Sequence, residues 1–270
     1  MLRLPAVAGR FYPSDSKDLR DVVRRFAQPA PSSPPPKSVK ACLVPHAGYM
    51  YSGQVAGAVF ARIAFPPTVI ILGVRHYPRG ENAAILSAGA WRTPLGDAPV
   101  DELIAAELQQ ACPLLKEDSV AHSTEHSLEV QLPFLQVLAP GFRFVPIALG
   151  SIRYDELASI GQAIGRVLAP RANTVLLLTS SDLNHYEDDA TTRRKDQKAI
   201  NRLLDLDPHG LYDVCHSDNI SMCGLGPAIA MLTALKTLGP TQPELICHST
   251  SADVSGDRSS VVGYAGLLFP

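Results

Sequence analysis

The sequence lacks the marks of membrane, secreted and nucleic-acid-binding proteins. No apolar run approaches the roughly 20 residues that a membrane-spanning helix needs, and the N-terminus MLRLPAVAGRFYP has no long apolar segment and no small-residue cleavage site. Lys/Arg-rich blocks are absent, and 24 basic against 26 acidic residues give a formal net charge of -2. We therefore expect a cytoplasmic protein that binds neither a membrane nor nucleic acid.

Disulfide frameworks and zinc fingers are also not indicated. The five cysteines, at positions 42, 112, 215, 223 and 247, are odd in number and show no CxxC spacing. We find no internal repeat, and the Pro- and Ser-rich stretch 28–37 predicts an extended surface connector rather than a domain boundary. A chain of 270 residues can bury a sizeable core. We therefore predict one domain over residues 1–270.

What the sequence does contain is an alternation of amphipathic and apolar stretches. The stretches with helical periodicity are 16–28, 52–64, 100–111, 155–168, 189–204 and 224–238. The short apolar runs between them are 39–45, 68–74, 142–149, 173–180 and 259–269. Continuous Val-, Ile- and Leu-rich runs are typical of strands buried on both faces. The pattern predicts an α/β fold with a mostly parallel or mixed central sheet, helices on both faces, and a ligand site at the carboxyl ends of the strands.

Three of the predicted strands run directly into segments that contain histidine. His46 follows CLVP, His76 follows IILGV and Arg75, and His185 ends the segment SSDLNH after LLLT. Parallel strands bring their carboxyl ends to one edge of a sheet, and histidine is the commonest metal ligand and general acid or base. Each histidine alone could equally be a capping or hydrogen-bonding residue, so the joint placement carries the prediction of a site.

Two further residues near these strand ends have chemistry that fits a site. Asp182 and His185 are three residues apart, so on a helical turn the carboxylate could orient the imidazole; a capping Ser-Asp pair explains Asp182 equally well. Cys223 precedes the apolar helix AIAMLTALKTL, whose N-terminus would lower the pKa of a thiol. The alternative for Cys223 is a small buried hydrophobic residue.

The segment HSTEHSLE, residues 122–129, has two interpretations. On one helical turn Glu125, His126 and Glu129 would share a face and could bind a metal or hydrogen-bond a site. Alternatively the segment is a capped helix start, with Ser123 or Thr124 as the cap. The spacing is not the HExxH of zinc peptidases, and we assign no role to Glu125 or His126 from the sequence.

Seven ordered segments carry a resemblance to a known family. They are RLPAVAGRFYPSD, VPHAGYMYSG, ILGVRHY, EHSLEVQLPFLQ, SSDLNHY, CGLGPAIAML and DRSSVVGYAG, which together span nearly the whole chain. At these segments the sequence resembles the Memo family, whose bacterial members are called AmmeMemoRadiSam system protein B. The family's fold is similar to that of the class III extradiol, non-haem iron dioxygenases.

This resemblance implies a metal at a cleft on the carboxyl edge of the sheet. Carried over by motif, the implied ligands are His46, His76 and Cys223, and Asp182 and His185 would lie beside the metal as catalytic residues. The dioxygenases use a carboxylate where Cys223 stands, so this softer site suits iron first, with copper or zinc as alternatives. Arg75 departs from the small residue expected before the second histidine, and as a cation it would favour an anionic substrate or oppose the metal charge.

The sequence therefore supports three hypotheses of function. The first is a metal-dependent oxidoreductase in which His185, oriented by Asp182, transfers protons. The second is a non-catalytic peptide- or metal-binding protein that uses the same cleft, and the third is hydrolysis by Cys223 with His185 as base. The ligand would be a small molecule or a peptide, and the family name implies association with AMMECR1-like and radical SAM proteins. Tyrosines beside the motif histidines either contact a substrate or only pack: Tyr49, Tyr51, Tyr77 and Tyr186.

Overall fold

A computed structural model describes residues 1–29, 32–150, 153–171 and 173–270. Within these ranges the chain forms strands β1–β12 and helices α1–α10. The strands are β1 (Leu2–Arg3), β2 (Ala41–Val44), β3 (Thr68–Val74), β4 (Ala83–Ile85), β5 (Ala90–Thr93), β6 (Gly96–Pro99), β7 (Lys116–Glu117), β8 (Arg143–Leu149), β9 (Val175–Ser180), β10 (His185–Glu187), β11 (Glu244–Thr250) and β12 (Val261–Phe269).

The helices surround these strands and differ widely in length. They are α1 (Ser16–Phe26), α2 (Tyr49–Phe60), α3 (Glu102–Ala111), α4 (Val120–Ser123), α5 (Leu132–Leu138), α6 (Tyr154–Leu168), α7 (Asp189–Leu204), α8 (Pro208–Ser217), α9 (Leu225–Thr237) and α10 (Ala252–Ser255). Single 3₁₀ turns precede α5 at Glu129–Gln131 and follow α6 at Ala169–Arg171. None of the helices in the described ranges is long and apolar enough to cross a membrane.

A mixed sheet forms the centre of the fold. Its strand order is β10-β12-β2-β9-β3-β8-β4-β7, and β11 pairs with β12. The four strands β2, β9, β3 and β8 are parallel to one another, whereas β12 runs antiparallel to β2 and β4 runs antiparallel to β8. Every residue of β2, β3 and β9 is buried, as expected for parallel strands covered on both faces.

Helices cover both faces of this sheet. Gly263 and Gly266 lie three residues apart on β12 and therefore face opposite sides. A Cβ on Gly263 would come 1.9 Å from Asp196 of α7, and a Cβ on Gly266 would come 2.4 Å from Val59 of α2. Helices α7 and α2 therefore pack closely on the two sides, where a larger residue on β12 would force them apart.

The fold predicted from the sequence is confirmed. An α/β architecture with a mixed central sheet is present, and each predicted helix and strand corresponds to an observed element. Boundaries differ most at α2, which begins at Tyr49 after an N-cap Gly48, three residues before the predicted start. In the predicted connector 28–37, residues 32–36 form neither helix nor strand, and residues 30 and 31 lie outside the described ranges.

Two local predictions were wrong. Helix α4 ends at Ser123 and the 3₁₀ turn begins only at Glu129, so Glu125 and Glu129 do not share a helical turn and neither Ser123 nor Thr124 caps a helix start. Residues 181–184 are likewise not helical and lead into β10. In both segments the polar side chains bond to distant parts of the chain, and these contacts replace the local bonds that a helix would supply.

Candidate metal centre

A pocket of about 500 Å³ opens at the carboxyl edge of the parallel strands. Val44 ends β2, Val74 ends β3 and Ser180 ends β9, and the loops that follow carry His46, His76 and Asp182. We call this cavity the metal pocket. Its lining residues are Phe11, His46, Ala47, Gly48, His76, His126, Asp182, His185, Tyr186, Ser221, Cys223 and Val262.

Three donor side chains meet in the metal pocket as the resemblance implied. His46, His76 and Cys223 each offer one ligand atom, and these three atoms all lie within 4.8 Å of one another. The sulfur of Cys223 is 3.2 Å from Nε2 of His46. Two imidazoles and a thiol from three separate segments are therefore close enough to bind one metal ion.

The hydrogen bonds of His46 fix which nitrogen is available to a metal. Its Nδ1 lies 3.0 Å from Oγ of Ser180. That hydroxyl donates its proton to the carbonyl of Ser127 at 2.6 Å and accepts from Nε2 of Gln131 at 2.8 Å, so toward His46 it acts as an acceptor. His46 therefore carries its proton on Nδ1, and the lone pair of Nε2 faces the pocket. Burial, and next the neighbouring His76, lowers the pKa of His46 to about 3, which keeps the ring neutral.

His76 is oriented by a buried carboxylate. Nδ1 of His76 bonds Oε1 of Glu125 at 2.8 Å, and its backbone N–H donates to Oε2 at 2.7 Å. Burial acts to raise the pKa of Glu125, but the hydrogen bond from His76 and the other donors around it lower that pKa to about 2. An ionised carboxylate accepts only, so His76 carries its proton on Nδ1 and leaves Nε2 free for a ligand.

Cys223 contacts one of the two histidines with which the resemblance groups it, and not His185, the base that the hydrolysis hypothesis requires. Its sulfur contacts His46 and accepts the backbone N–H of Asp182 at 3.3 Å, so the structure does not pair it with His185. Burial, followed by the Asp182 carboxylate, raises the pKa of the thiol well above its usual range. The expected lowering of this pKa by the start of α9 was therefore wrong, because loss of hydration outweighs the helix terminus. Without a cation the sulfur retains its proton.

Asp182 lies in the pocket but does not hold His185. Its Oδ1 accepts the backbone N–H of His46 at 2.7 Å, and burial raises the pKa of its carboxyl group. The expected contact on a helical turn is absent because residues 181–184 are not helical. Asp182 instead fixes the backbone of the His46 loop.

His185 is oriented by Ser221. Its Nδ1 lies 3.0 Å from the carbonyl of Ser221, and its backbone N–H donates to Oγ of Ser221 at 2.8 Å. The buried side chain of Asn184 in turn accepts the backbone N–H of Ser221 at 3.1 Å. Since a carbonyl can only accept, His185 also carries its proton on Nδ1, and Nε2 is the nitrogen able to accept a proton.

A second group of donor atoms shares His76. His76, Glu125 and His126 place their ligand atoms within 4.8 Å of one another. Both oxygens of Glu125 are already engaged, since Oε1 accepts from Ser127 as well as from His76 and Oε2 accepts from His76. The rings of His126 and His76 stack with centroids 4.6 Å apart, and Phe11 packs 4.7 Å from His126. Glu125 therefore supports His76, and His126 is a wall of the pocket.

Arg75 points away from the metal pocket. Its guanidinium donates to the carbonyl of Gly80 at 2.7 Å and to the side chain of Asn82 at 2.5 Å, and Arg75 is not a lining residue. The expectation that this cation acts on a substrate or on the metal charge was therefore wrong. The loop between β3 and β4 supplies acceptors that hold the guanidinium outside the pocket.

The four tyrosines near the motifs do not all line the metal pocket. Tyr186 lines the metal pocket, and Tyr49 and Tyr51 line an adjoining cleft of about 520 Å³ that shares Phe11 and Gly48 with it. Tyr77 is 47 % exposed and lines neither cavity.

The residues in the pocket fit a metal of intermediate softness. Two imidazole nitrogens and one sulfur, with carboxylates engaged in orienting bonds, form a donor set suited to iron, copper or zinc and unsuited to magnesium or calcium. The raised pKa of Cys223 means that a bound cation must displace the thiol proton.

Sequence reasoning missed the residues that orient the histidines of the pocket. Ser180, Gln131 and Ser221 determine the protonated nitrogen of His46 and His185, yet none has a local motif that indicates this role. The adjacent Glu125 and His126 were given no role from the sequence, because His76, the partner of Glu125, lies on another segment. For Ser180, the one signal in the sequence is its position at the end of an apolar strand, where a site was expected.

The chain is similar to known proteins over nearly its whole length. Residues 3–268 match the model of the family described as Memo-like protein. The chain is 40 % identical over 280 residues to a MEMO1 family protein of Methanopyrus kandleri, covering 100 % of this chain and 99 % of that protein. It is 38 % identical over 283 residues to a MEMO1 family protein of Methanocaldococcus jannaschii, covering 99 % of this chain and 98 % of that protein.

One solved structure is also similar. The crystal structure of an uncharacterized protein of Escherichia coli K12 superposes with a TM-score of 0.56 and 13 % sequence identity, covering 85 % of this chain and 99 % of the other. A likeness at this identity shows the fold alone.

Proposed function

This chain belongs to the family of Memo-like proteins, and on that premise we propose that it is a metal-dependent oxidoreductase with His46, His76 and Cys223 as metal ligands. The observation that carries the proposal is the convergence of one imidazole nitrogen each from His46 and His76 and the sulfur of Cys223 within 4.8 Å. The bonds at both Nδ1 atoms support it, because they hold the free nitrogens toward the same point before any cation arrives.

Iron is the metal we propose first. Copper is the alternative if the site performs redox chemistry, and zinc is the alternative if it does not. A thiolate beside two imidazoles suits all three. When bound, iron or copper supplies one-electron chemistry and a Lewis acid at its open positions. Three protein ligands leave such positions free in the common four- to six-coordinate geometries.

His185 is the residue we propose for proton transfer. Ser221 holds its Nδ1, so Nε2 faces a ligand as a proton acceptor. Asp182 supports the reaction indirectly, since it fixes the backbone of His46 and adds a buried carboxyl group beside Cys223. The roles of both residues depend on substrate contact within the same pocket.

A binding protein without turnover is the second candidate. The observation that favours it is the adjoining cleft of about 520 Å³, which shares Phe11 and Gly48 with the metal pocket and gives room for an extended peptide. Association with AMMECR1-like and radical SAM proteins stays a prediction. Hydrolysis by Cys223 is disfavoured, because burial raises the pKa of its thiol and lowers the pKa of the neighbouring His46 to about 3, which makes this imidazole too weak a base to take the thiol proton.

Metal content measured by mass spectrometry tests the ligand set. Protein prepared anaerobically with a fixed iron and copper supply is compared with His46→Ala, His76→Ala and Cys223→Ala. The controls are His209→Ala and Cys247→Ala, which remove the same residue types outside the metal pocket. We expect near-stoichiometric metal in the wild type and both controls and loss in the three ligand variants. Equal metal content in all six proteins would contradict the assignment.

Oxygen consumption separates the two candidate functions. The metal-loaded protein is mixed with ascorbate and its oxygen uptake is compared with that of Cys223→Ser and His185→Gln, each checked for metal content. If the protein is an oxidoreductase, it takes up oxygen faster than the same concentration of metal free in solution. This activity is lost in Cys223→Ser. Stoichiometric metal without any uptake would favour the binding protein.

A further inference from the structure

Tyr186 occupies a backbone conformation that tyrosine rarely adopts. Its φ angle is 64°, in the left-handed region that glycine and asparagine enter with least strain. The cause is a β-bulge, since His185 pairs with Val262 and Glu187 with Val261, which leaves Tyr186 as the extra residue. A bulky side chain at this position costs folding free energy.

Nothing within the described fold offsets this cost. The side chain of Tyr186 is 79 % exposed, so its ring gains little from burial. Its nearest ring neighbour is His185, at a centroid distance of 5.5 Å and a tilt of 54°. A glycine would satisfy the bulge without strain, so the tyrosine ring is best explained by contact with something outside the chain.

The position of the ring indicates what that contact is. Tyr186 lines the metal pocket beside His185, and Phe11 and Val262 supply further apolar lining. The pocket therefore combines nitrogen and sulfur donors with an apolar rim, and it has no lysine or arginine among its lining residues. A ligand that fits both parts has a small metal-binding polar group and a planar apolar body.

We propose that Tyr186 is a substrate-contacting residue, whose exposed ring stacks on a planar aromatic ligand while the ligand's polar group reaches the donors of the metal pocket. This inference rests on the proposed metal site and names the substrate class for it. The bulge in β10 directs the ring of Tyr186 to the pocket. The same bulge positions His185, the proposed proton acceptor.

A pair of hydroxamates tests the stacking. Benzohydroxamate and acetohydroxamate carry the same metal-binding group with and without a phenyl ring, and their affinities for iron-loaded protein are measured by calorimetry. We expect the preference for benzohydroxamate to fall about three- to tenfold in Tyr186→Gly and to persist in Tyr186→Phe, with little change in acetohydroxamate affinity. Tyr77→Gly is the matched control, because Tyr77 directly follows His76 as Tyr186 follows His185, but has no positive φ and does not line the pocket.

The melting temperature of the same variants without metal gives an independent readout. Tyr186→Gly should keep or raise it by about 2–4 °C through relief of strain, whereas Tyr77→Gly should lower it. A clear loss of stability in Tyr186→Gly would overturn the proposal, because the ring would then have a packing role. Unchanged hydroxamate preference in Tyr186→Gly would overturn it as well. Failure of both hydroxamates to bind iron-loaded wild type would contradict the open metal positions, and the substrate class with them.

Discussion

The imidazoles of His46, His76 and His185 share one arrangement: each bonds a fixed group through Nδ1. The partners are Ser180, Glu125 and the carbonyl of Ser221. Only for His76 is the partner a charged side chain, and this carboxylate also accepts the backbone N–H of the same residue. Of the three bonds, the one to Glu125 can therefore be tested with a side chain of nearly the same shape, because glutamine replaces one carboxylate oxygen with an NH₂ group.

Replacing Glu125 with glutamine should weaken metal binding by about 10- to 100-fold. In either orientation the NH₂ of the amide would meet an N–H donor, which is the backbone N–H of His76 at one oxygen position and Nδ1–H of His76 with the N–H of Ser127 at the other. The variant would therefore lose one of the bonds that hold the imidazole of His76 in place. Affinity is measured by competition with a chelator, and the melting temperature reports whether the variant is folded.

Asp213→Asn is the control for this change. Asp213 lies 2.9 Å from His209 in an exposed histidine–carboxylate pair outside the metal pocket. Its replacement should leave metal affinity unchanged. An unchanged affinity in Glu125→Gln would show that the carboxylate does not control the orientation of His76.

The start of α9 lies against the end of β9, and this close approach places Cys223. Gly224 donates its N–H to Oγ of Ser181 at 3.0 Å, and a Cβ on Gly224 would lie 2.3 Å from Cβ of Ser181 and 2.9 Å from the carbonyl of Ser180. Two backbone segments this near cannot both remain in place around an added methyl group. The position of the sulfur thus depends on the contact between two elements.

Gly224→Ala should therefore reduce metal affinity at least about tenfold, because an atomic displacement on the order of 1 Å already disturbs a coordination geometry. Gly226→Ala is the matched control two residues later, where a Cβ would meet only the flexible end of Leu157 at 3.2 Å. Its affinity should stay close to that of the wild type. Chelator competition on both variants decides, and equal affinities would contradict the steric account.

The stability of the whole molecule should depend on pH through buried histidines. His122 is fully buried beside the ring of Trp91, with centroids 5.5 Å apart. Burial, and next the charge of Arg3, lowers the pKa of His122 to about 4. The unfolded chain binds a proton near pH 6.5 that the folded chain binds only near pH 4, so folding becomes less favourable as the pH falls through this interval.

We expect the free energy of unfolding of metal-free protein to be flat with respect to this group above pH 6.5 and to fall by up to about 3 kcal/mol between pH 6.5 and 4 because of His122. Urea denaturation at a series of pH values measures it. His122→Asn should be less stable at pH 7 and show a shallower pH dependence. Parallel curves for the two proteins would mean that His122 titrates normally in the folded state.

The sequence predicted the central elements well because they are long and strongly patterned. The buried strands β2, β3, β8 and β9 each appear as a continuous apolar run, and such runs need no tertiary information to be recognised. The short strands β4, β7 and β10 were missed, since strands of two or three residues carry no periodicity of their own, and the longer β11 and α8 were missed as well. The short strands form only because the edges of the sheet offer them partners.

Taken alone, the sequence determined that His46, His76 and His185 would lie at one edge of the sheet, because parallel strands share a direction. Tertiary structure alone decided what these residues do to one another. Cys223 contacts His46 rather than His185, Asp182 holds a backbone N–H, and Glu125 comes from a distant segment to orient His76. Hydrogen bonds between segments far apart in the chain depend on three-dimensional approach, and no local spacing of residues encodes that approach.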